Sequence, residues 1–277
     1  MTVWESILFG IIQGITEIFP VSSSAHLGIL GSLFGVNGDT YNFAMMTVFL
    51  HFGTLLSIII VYLPELEDMV LDLLLLLRAG NGTAPSRKHY PSARLGLMLC
   101  VSCLPLILIL PFYDRIDALY SSSYFVGGAI IITGIILFIC DHLNDGEKDE
   151  RNMVFSDALI IGLCQTVAAI PGISRIAVNM TACKASGLSR EFSLKYAYLL
   201  SIPTVFGMNI VHLVWSASMG FLWSDVPKYL IGMVTAMLTG MVCMRFVRRA
   251  AEKNYFHRFS YYCWVAGVLF IILTMIF

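Results

Sequence analysis

Residues 13–26 read Gln13-Gly14-Ile15-Thr16-Glu17-Ile18-Phe19-Pro20-Val21-Ser22-Ser23-Ser24-Ala25-His26, a polar island between Ile7-Leu8-Phe9-Gly10-Ile11-Ile12 and Leu27-Gly28-Ile29-Leu30. A carboxylate and an imidazole are costly in such surroundings. Gln13 and Glu17 stand four apart, so a helix over 3–18 sets them one turn apart on one face. Pro20 then withholds a backbone donor and disfavours helix at Phe19. The three serines offer an N-cap for a second helix, with Ser22 and Ser23 on the face of His26. The pattern is helix, break, helix. The free amides after the break can hold an anion, and both half-helices aim Glu17, the serines and His26 at one spot.

The rest of the composition says what surrounds that spot. Of 277 residues, 58% are hydrophobic and 13% charged, against about 25% charged in an ordinary soluble domain. With a mean hydropathy of +0.81, the chain reads as an all-α polytopic membrane protein. A period-two alternation is absent, which argues against a β-barrel. No basic n-region and cleavage site precede the first apolar stretch, so no signal peptide is expected. A net charge of −1 says nothing useful about partners; no nucleic-acid partner is expected, and the oligomeric state is left open, a homodimer included. Seven cysteines, an odd number, lie in apolar segments. Cys100 and Cys103 form a C-x-x-C, but inside an expected span this reads as helix packing.

Full spans need about 20 mostly apolar residues. That rule gives 42–63, 91–112, 121–140, 191–216, 226–246 and 258–277. The leftover segments 3–35 and 155–188 are apolar but broken in the middle, which suggests re-entrant hairpins buried in protein. Pro64 to Tyr90 reads as a span extension or interfacial helix followed by a mobile loop around Gly80-Asn81-Gly82-Thr83-Ala84-Pro85, and Asp141 to Arg151 as a solvated connector. Arg78, Arg87, Lys88, Arg94, Lys148, Arg151, Arg245, Arg248, Arg249, Lys253 and Arg258 fall in one set of loops, and only Arg115 and Lys228 in the other. By the positive-inside rule the first set is cytoplasmic, both termini are extracytoplasmic, and the two broken segments dip in from opposite sides. Tyr113, Tyr120, Tyr124, Trp215 and Trp223 then lie near the outer ends, as interface anchors. His51, with Thr54 and Ser57, reads as span packing, and Lys184 as an interfacial charge.

Opposed hairpins are what an inverted repeat predicts, with residues 1–140 as one copy and 141–277 as the other, each a broken hairpin plus three spans. Gly10-Ile11-Ile12-Gln13 before Pro20-Val21-Ser22 is echoed by Gly162-Leu163-Cys164-Gln165 before Pro171-Gly172-Ile173-Ser174. In the second copy Ser174 can cap the next half-helix. Arg175 then sits in its first turn, where guanidinium and amides together can grip a phosphate. The two breaks are expected to meet near the midplane.

Glu17 to His26, with Gln13 ahead, and Pro171-Gly172-Ile173-Ser174-Arg175 resemble the two signature motifs of the undecaprenyl-diphosphatase (BacA/UppP) family. The resemblance implies a cell-membrane phosphatase that turns a polyprenyl diphosphate lipid into its monophosphate carrier outside the cytoplasm, serving cell-envelope synthesis and associated with bacitracin resistance. It implies that Glu17 and Gln13 help hold a divalent cation, Mg²⁺ or Ca²⁺. His26 would act as general base or acid, activating either Ser23 or a water. Ser22, Ser23, Ser24, Ser174 and Arg175 would bind phosphate. The family usually continues Ser-Arg-Ser-Gly-x-Thr, whereas this chain has Ser174-Arg175-Ile176-Ala177-Val178-Asn179. Two hydroxyls are replaced, and Asn179 is expected to donate in place of one. The rival readings are a polyprenyl-phosphate transporter or flippase, which uses the same broken helices, and a non-catalytic lipid-phosphate binder. An acid/base pair beside the anion cradle favours the enzyme.

Overall fold

Within hydrocarbon a helix satisfies its own backbone, so uninterrupted apolar length decides the architecture. The computed structural model describes residues 2–35, 40–78, 90–219, 223–253 and 255–276, and these are helical with no strand. In chain order the helices are α1 (Val3–Ile18), α2 (Ser23–Leu33), α3 (Thr40–Val61), α4 (Leu63–Arg78), α5 (Pro91–Cys103), α6 (Tyr113–Ala118), α7 (Ser123–His142), α8 (Phe155–Gln165), α9 (Arg175–Ala185), α10 (Arg190–Met219), α11 (Val226–Glu252) and α12 (Phe256–Ile276). Among the described residues, six stretches are long and apolar enough to cross a membrane: Asn42–Val61, Pro91–Phe112, Ser123–His142, Arg190–Ser216, Trp223–Glu252 and Phe256–Ile276. They coincide closely with the six spans read from the sequence. The segment after the first span is helical as α4, and it packs on α5. The loop Gly80 to Pro85, Arg87 and Lys88 lie outside the described residues.

The two leftover segments are broken where expected. α1 starts in a capping box of Thr2 and Glu5 and ends at Phe19, and α2 begins after Ser22. α8 passes through a 3-10 turn, Thr166–Ala169, before the chain bends and α9 begins after Ser174. α1 lies along α11 in the same direction. An added Cβ on Gly10 would stand 2.6 Å from the Gly232 carbonyl, and one on Gly14 2.6 Å from Thr239 Cβ and 2.8 Å from the Ala236 carbonyl. α8 lies along α5, where the Ser102 hydroxyl donates to the Ala158 carbonyl at 2.7 Å. Arg94, in the first turn of α5, donates to the carbonyls of Arg151 (2.6 Å) and Met153 (2.5 Å) just before α8. Since successive crossings alternate in direction, α5 and α11 begin at opposite ends of the bundle, and so do the two broken segments.

The connector after α7 departs from the solvated loop expected of it. Lys148 pairs with Asp157 at 2.9 Å and donates to the Ser186 carbonyl, and Glu150 pairs with Lys195 at 2.9 Å. Asp145 takes both Lys184 (3.2 Å) and Arg190 (2.6 Å). Lys184, expected at an interface, is buried. A buried ammonium needs a partner, and the connector supplies it. The acids and lysines of 141–157 therefore clamp the start of α8 to the end of α9.

The α1/α11 contact leaves no room for a side chain at Gly14. Gly14→Val should lower the thermal stability of the detergent-purified protein by about 1–3 kcal/mol or more. Gly128→Ala, at a site with nothing within 4 Å, should hold or slightly raise it. Equal melting temperatures for Gly14→Val and the parent would refute the close approach.

Candidate active site

Break one is an energetically expensive turn that its neighbours hold in place. Ser22 has φ 73°, the one non-glycine residue in the left-handed region among those described. Such a backbone costs on the order of 1–3 kcal/mol. His26 offsets that cost: its Nδ1 donates to the Ser22 carbonyl at 2.7 Å, and its Nε2 meets the Tyr262 hydroxyl of α12 at 2.7 Å. Tyr198 of α10 donates to the Ile18 carbonyl at 2.7 Å, satisfying the open end of α1. Ser22 and Ser24 hydroxyls are 3.4 Å apart.

Break two is pinned by α7. The Thr133 hydroxyl donates to the Gly172 carbonyl and accepts from the Ser174 amide, both at 3.0 Å. Gly172 has φ +92°, and an added Cβ would fall 2.6 Å from that of Ala129, so only glycine fits. Ser174 caps α9, accepting from the Ala177 amide at 3.4 Å, which leaves Arg175 at the first helical position. The breaks touch where the Gly172 amide donates to Ser24 Oγ at 3.4 Å.

At that junction four side chains converge on one carboxylate. Glu17 Oε1 lies 3.5 Å from Arg175 Nη1. Its Oε2 accepts from Ser23 Oγ in a very short bond, accepts from Gln13 Nε2 at 3.4 Å and lies 3.7 Å from His51 Nε2. Glu17 is 11% and Arg175 16% exposed, so the pair is screened little by water. Two polar atoms here are buried and make no hydrogen bond: Gln13 Oε1, and Arg175 Nη1, whose contact with Glu17 is an ion pair only. These groups border a cavity of about 340 Å³ lined by Glu17, Ser22, Ser23, Ser24, Ser174 and Arg175, with His51 and Thr47 of α3 and Asn209 and His212 of α10. Tyr120 and Trp215, expected only as interface anchors, also line it.

Two expected site residues lie elsewhere. His26 is outside this lining, its ring committed to Ser22 and Tyr262. Asn179 is fully buried and donates to Gln165 Oε1 at 3.0 Å, tying α9 to α8 behind the break. Its neighbour Ile176 does line the cavity. The residue that sequence reasoning placed wrongly is His51, read as span packing. It faces Glu17, and its Nδ1 donates to the Thr47 carbonyl at 2.8 Å, which leaves Nε2 turned to the site. The signal was present, because an ionisable residue inside an apolar span is a functional candidate by default.

A family model described as "Bacitracin resistance protein BacA" matches residues 6–269. The chain is 32% identical over its whole length to an undecaprenyl-diphosphatase of Halothermothrix orenii, covering all of that protein, and 31% identical to one of Alkaliphilus metalliredigens over the full length of both. An undecaprenyl-diphosphatase of Methanococcus maripaludis is 32% identical over 98% of this chain and 100% of its own. By family match and by full-length relatedness alike, the chain belongs to the bacitracin resistance protein BacA family.

Proposed function

We propose that this protein is an integral membrane phosphatase that hydrolyses undecaprenyl diphosphate to undecaprenyl phosphate and inorganic phosphate. The relatives' shared name supports the substrate. The single observation that carries the chemistry is the contact of Ser23 with Glu17 beside Arg175. A pure carrier needs the anion cradle but has no use for a hydroxyl hydrogen-bonded to a carboxylate, so the enzyme is favoured over a transporter.

In this reading Arg175, the N-terminus of α9 and the serines bind the terminal phosphoryl group and stabilise its developing charge. Ser23 Oγ attacks that phosphorus while Glu17 takes its proton. The P–O bond to the bridging oxygen breaks, and the lipid leaves as monophosphate. Water then cleaves the phosphoserine, releasing phosphate. His26 is a positioning residue, since it holds the Ser22 turn that presents Ser23. Glu17, with the unbonded Gln13 Oε1 beside it, would hold a divalent cation, Mg²⁺ or Ca²⁺, as part of an oxygen set. Such an ion would neutralise charge on the phosphoryl oxygens.

The orientation and the inverted repeat belong to the same proposal. The pairing of α1 with α11 and of α8 with α5 supports a repeat, because an inverted copy of the first pair predicts the second. The charge distribution supports an orientation in the cell membrane with both termini outside the cytoplasm, and in this reading the cavity opens on that side. In a background lacking native cysteines, Asp114→Cys should react with an impermeant thiol reagent on intact cells and Glu147→Cys only after permeabilisation. The reverse pattern would sink the orientation.

Phosphate release by purified protein in detergent tests the activity directly, since transport is invisible without a sealed bilayer. Arg175→Ala should cut it about 100-fold or more, and Arg175→Lys should recover little because a point charge replaces a planar fork. Activity retained in the lysine variant would mean that Arg175 only balances charge. For Asn179→Ala the loss should fall on the fold. Leaving Gln165 Oε1 buried and unpaired costs about 1–3 kcal/mol of stability, while kcat/KM per folded molecule stays within about threefold. A large loss in kcat/KM at unchanged stability would return Asn179 to the phosphate site.

A further inference from the structure

The donors described so far come from the two broken segments, and α10 forms a further wall of the cavity. On α10, Val205, Met208, Asn209, His212 and Trp215 line it, a spacing that puts them on one helical face. Asn209 is 4% exposed, and its Nδ2 is a buried donor with no hydrogen-bond partner. A buried amide left unpaired is unfavourable unless something satisfies it.

Its height in the bundle follows from the ring contacts of the antiparallel pair α3 and α10. Phe52 meets Phe206 with ring centroids 6.4 Å apart, and Tyr62 meets Tyr198 at 6.1 Å. Residue numbers on the two helices therefore sum to a nearly constant value, which sets Asn209 level with residues 49–51 of α3. His51, at that level, is 3.7 Å from Glu17. Asn209 thus lines the cavity at the level of the Glu17 carboxylate.

We propose that Asn209 is the donor for the second phosphoryl group, the one that stays on the lipid. This assignment rests on the phosphatase reading for its substrate. Arg175 and the serines would hold the phosphoryl group that is transferred, and Asn209 the one that departs as monophosphate. The cavity then discriminates a diphosphate from a monophosphate by engaging both ends.

The test measures binding of farnesyl monophosphate and of inorganic phosphate to the purified full-length protein, with farnesyl diphosphate hydrolysis alongside. Asn209→Ala should weaken farnesyl monophosphate about tenfold or more, as expected for a hydrogen bond to a charged acceptor. It should leave inorganic phosphate affinity unchanged and raise KM for farnesyl diphosphate more than it lowers kcat. Asn209→Thr, which keeps a donor, should recover most of the loss. The melting temperature of ligand-free Asn209→Ala should equal or exceed that of the parent, because no bond is lost. A fall in melting temperature would show the amide to be spent on the fold, and an equal effect on both ligands, or on neither, would also overturn the assignment. The binding measurements need no turnover. An inert parent protein would therefore defeat the phosphatase reading while the two-ligand comparison still decides Asn209.

Discussion

A carboxylate at the broken end of α1, within a bundle of apolar helices, is the constraint that the rest of this structure meets. Taking an ion out of water costs several kcal/mol, and that cost is offset only when opposite charge and hydrogen-bond donors reach it. Glu17 has Arg175 from the other broken segment, His51 from a full span, and Ser23 and Gln13 from its own. Ser23 could not reach it along a continuous α1. The break at Phe19 to Ser22 lets Ser23 turn back toward Glu17, and the break at Ile170 to Ser174 starts a new helix with Arg175 at its head. The two interruptions are therefore halves of a single electrostatic solution.

The scaffold around that solution is rigid for a matching reason. Each break exposes backbone groups that lipid cannot satisfy, and each is answered by a side chain from a full span. Tyr198 takes the Ile18 carbonyl, Thr133 answers both Gly172 and Ser174, and Tyr262 holds the histidine that holds Ser22. The left-handed turn at Ser22 persists because its surroundings over-determine it. The geometry of the Glu17 cluster and the stability of the fold are consequently coupled at residues outside that cluster. At the opposite end, ion pairs among Asp145, Lys184 and Arg190 do the corresponding work for the second hairpin.

Much of this is legible in the sequence, and the limit is physical. The six spans follow from apolar length, and the breaks from Pro20, Pro171 and the serines that follow each. Glu17, Ser23 and Arg175 are legible as neighbours because motif spacing within each segment, plus the echo between segments, leaves them little choice. Direction on a helix is a different matter. His26 and His51 each bond the carbonyl four residues earlier, so local geometry treats them alike. What separates them is tertiary: Tyr262, 236 residues away, draws His26 to α12, whereas the packing of α3 turns His51 to Glu17. The connector's acids look solvated for the same reason, because Lys184, which they neutralise, is distant in sequence.

The altered second motif takes its meaning from the same distinction between face and position. Asn179 stands one turn below Arg175 but on the side facing α8, where Gln165 occupies it; a hydroxyl at that place would also meet α8. Ile176 does face the cavity, so there the change removes a donor from the anion's surroundings. The groups that remain there are the Arg175 guanidinium, the Ser174-capped start of α9 and the serine hydroxyls. Rate depends on donors that strengthen toward the transition state, and a donor that binds substrate and product alike adds affinity without speed. In the phosphatase reading, an apolar side chain at 176 takes away one contact to phosphate and leaves Arg175 and the serines in place.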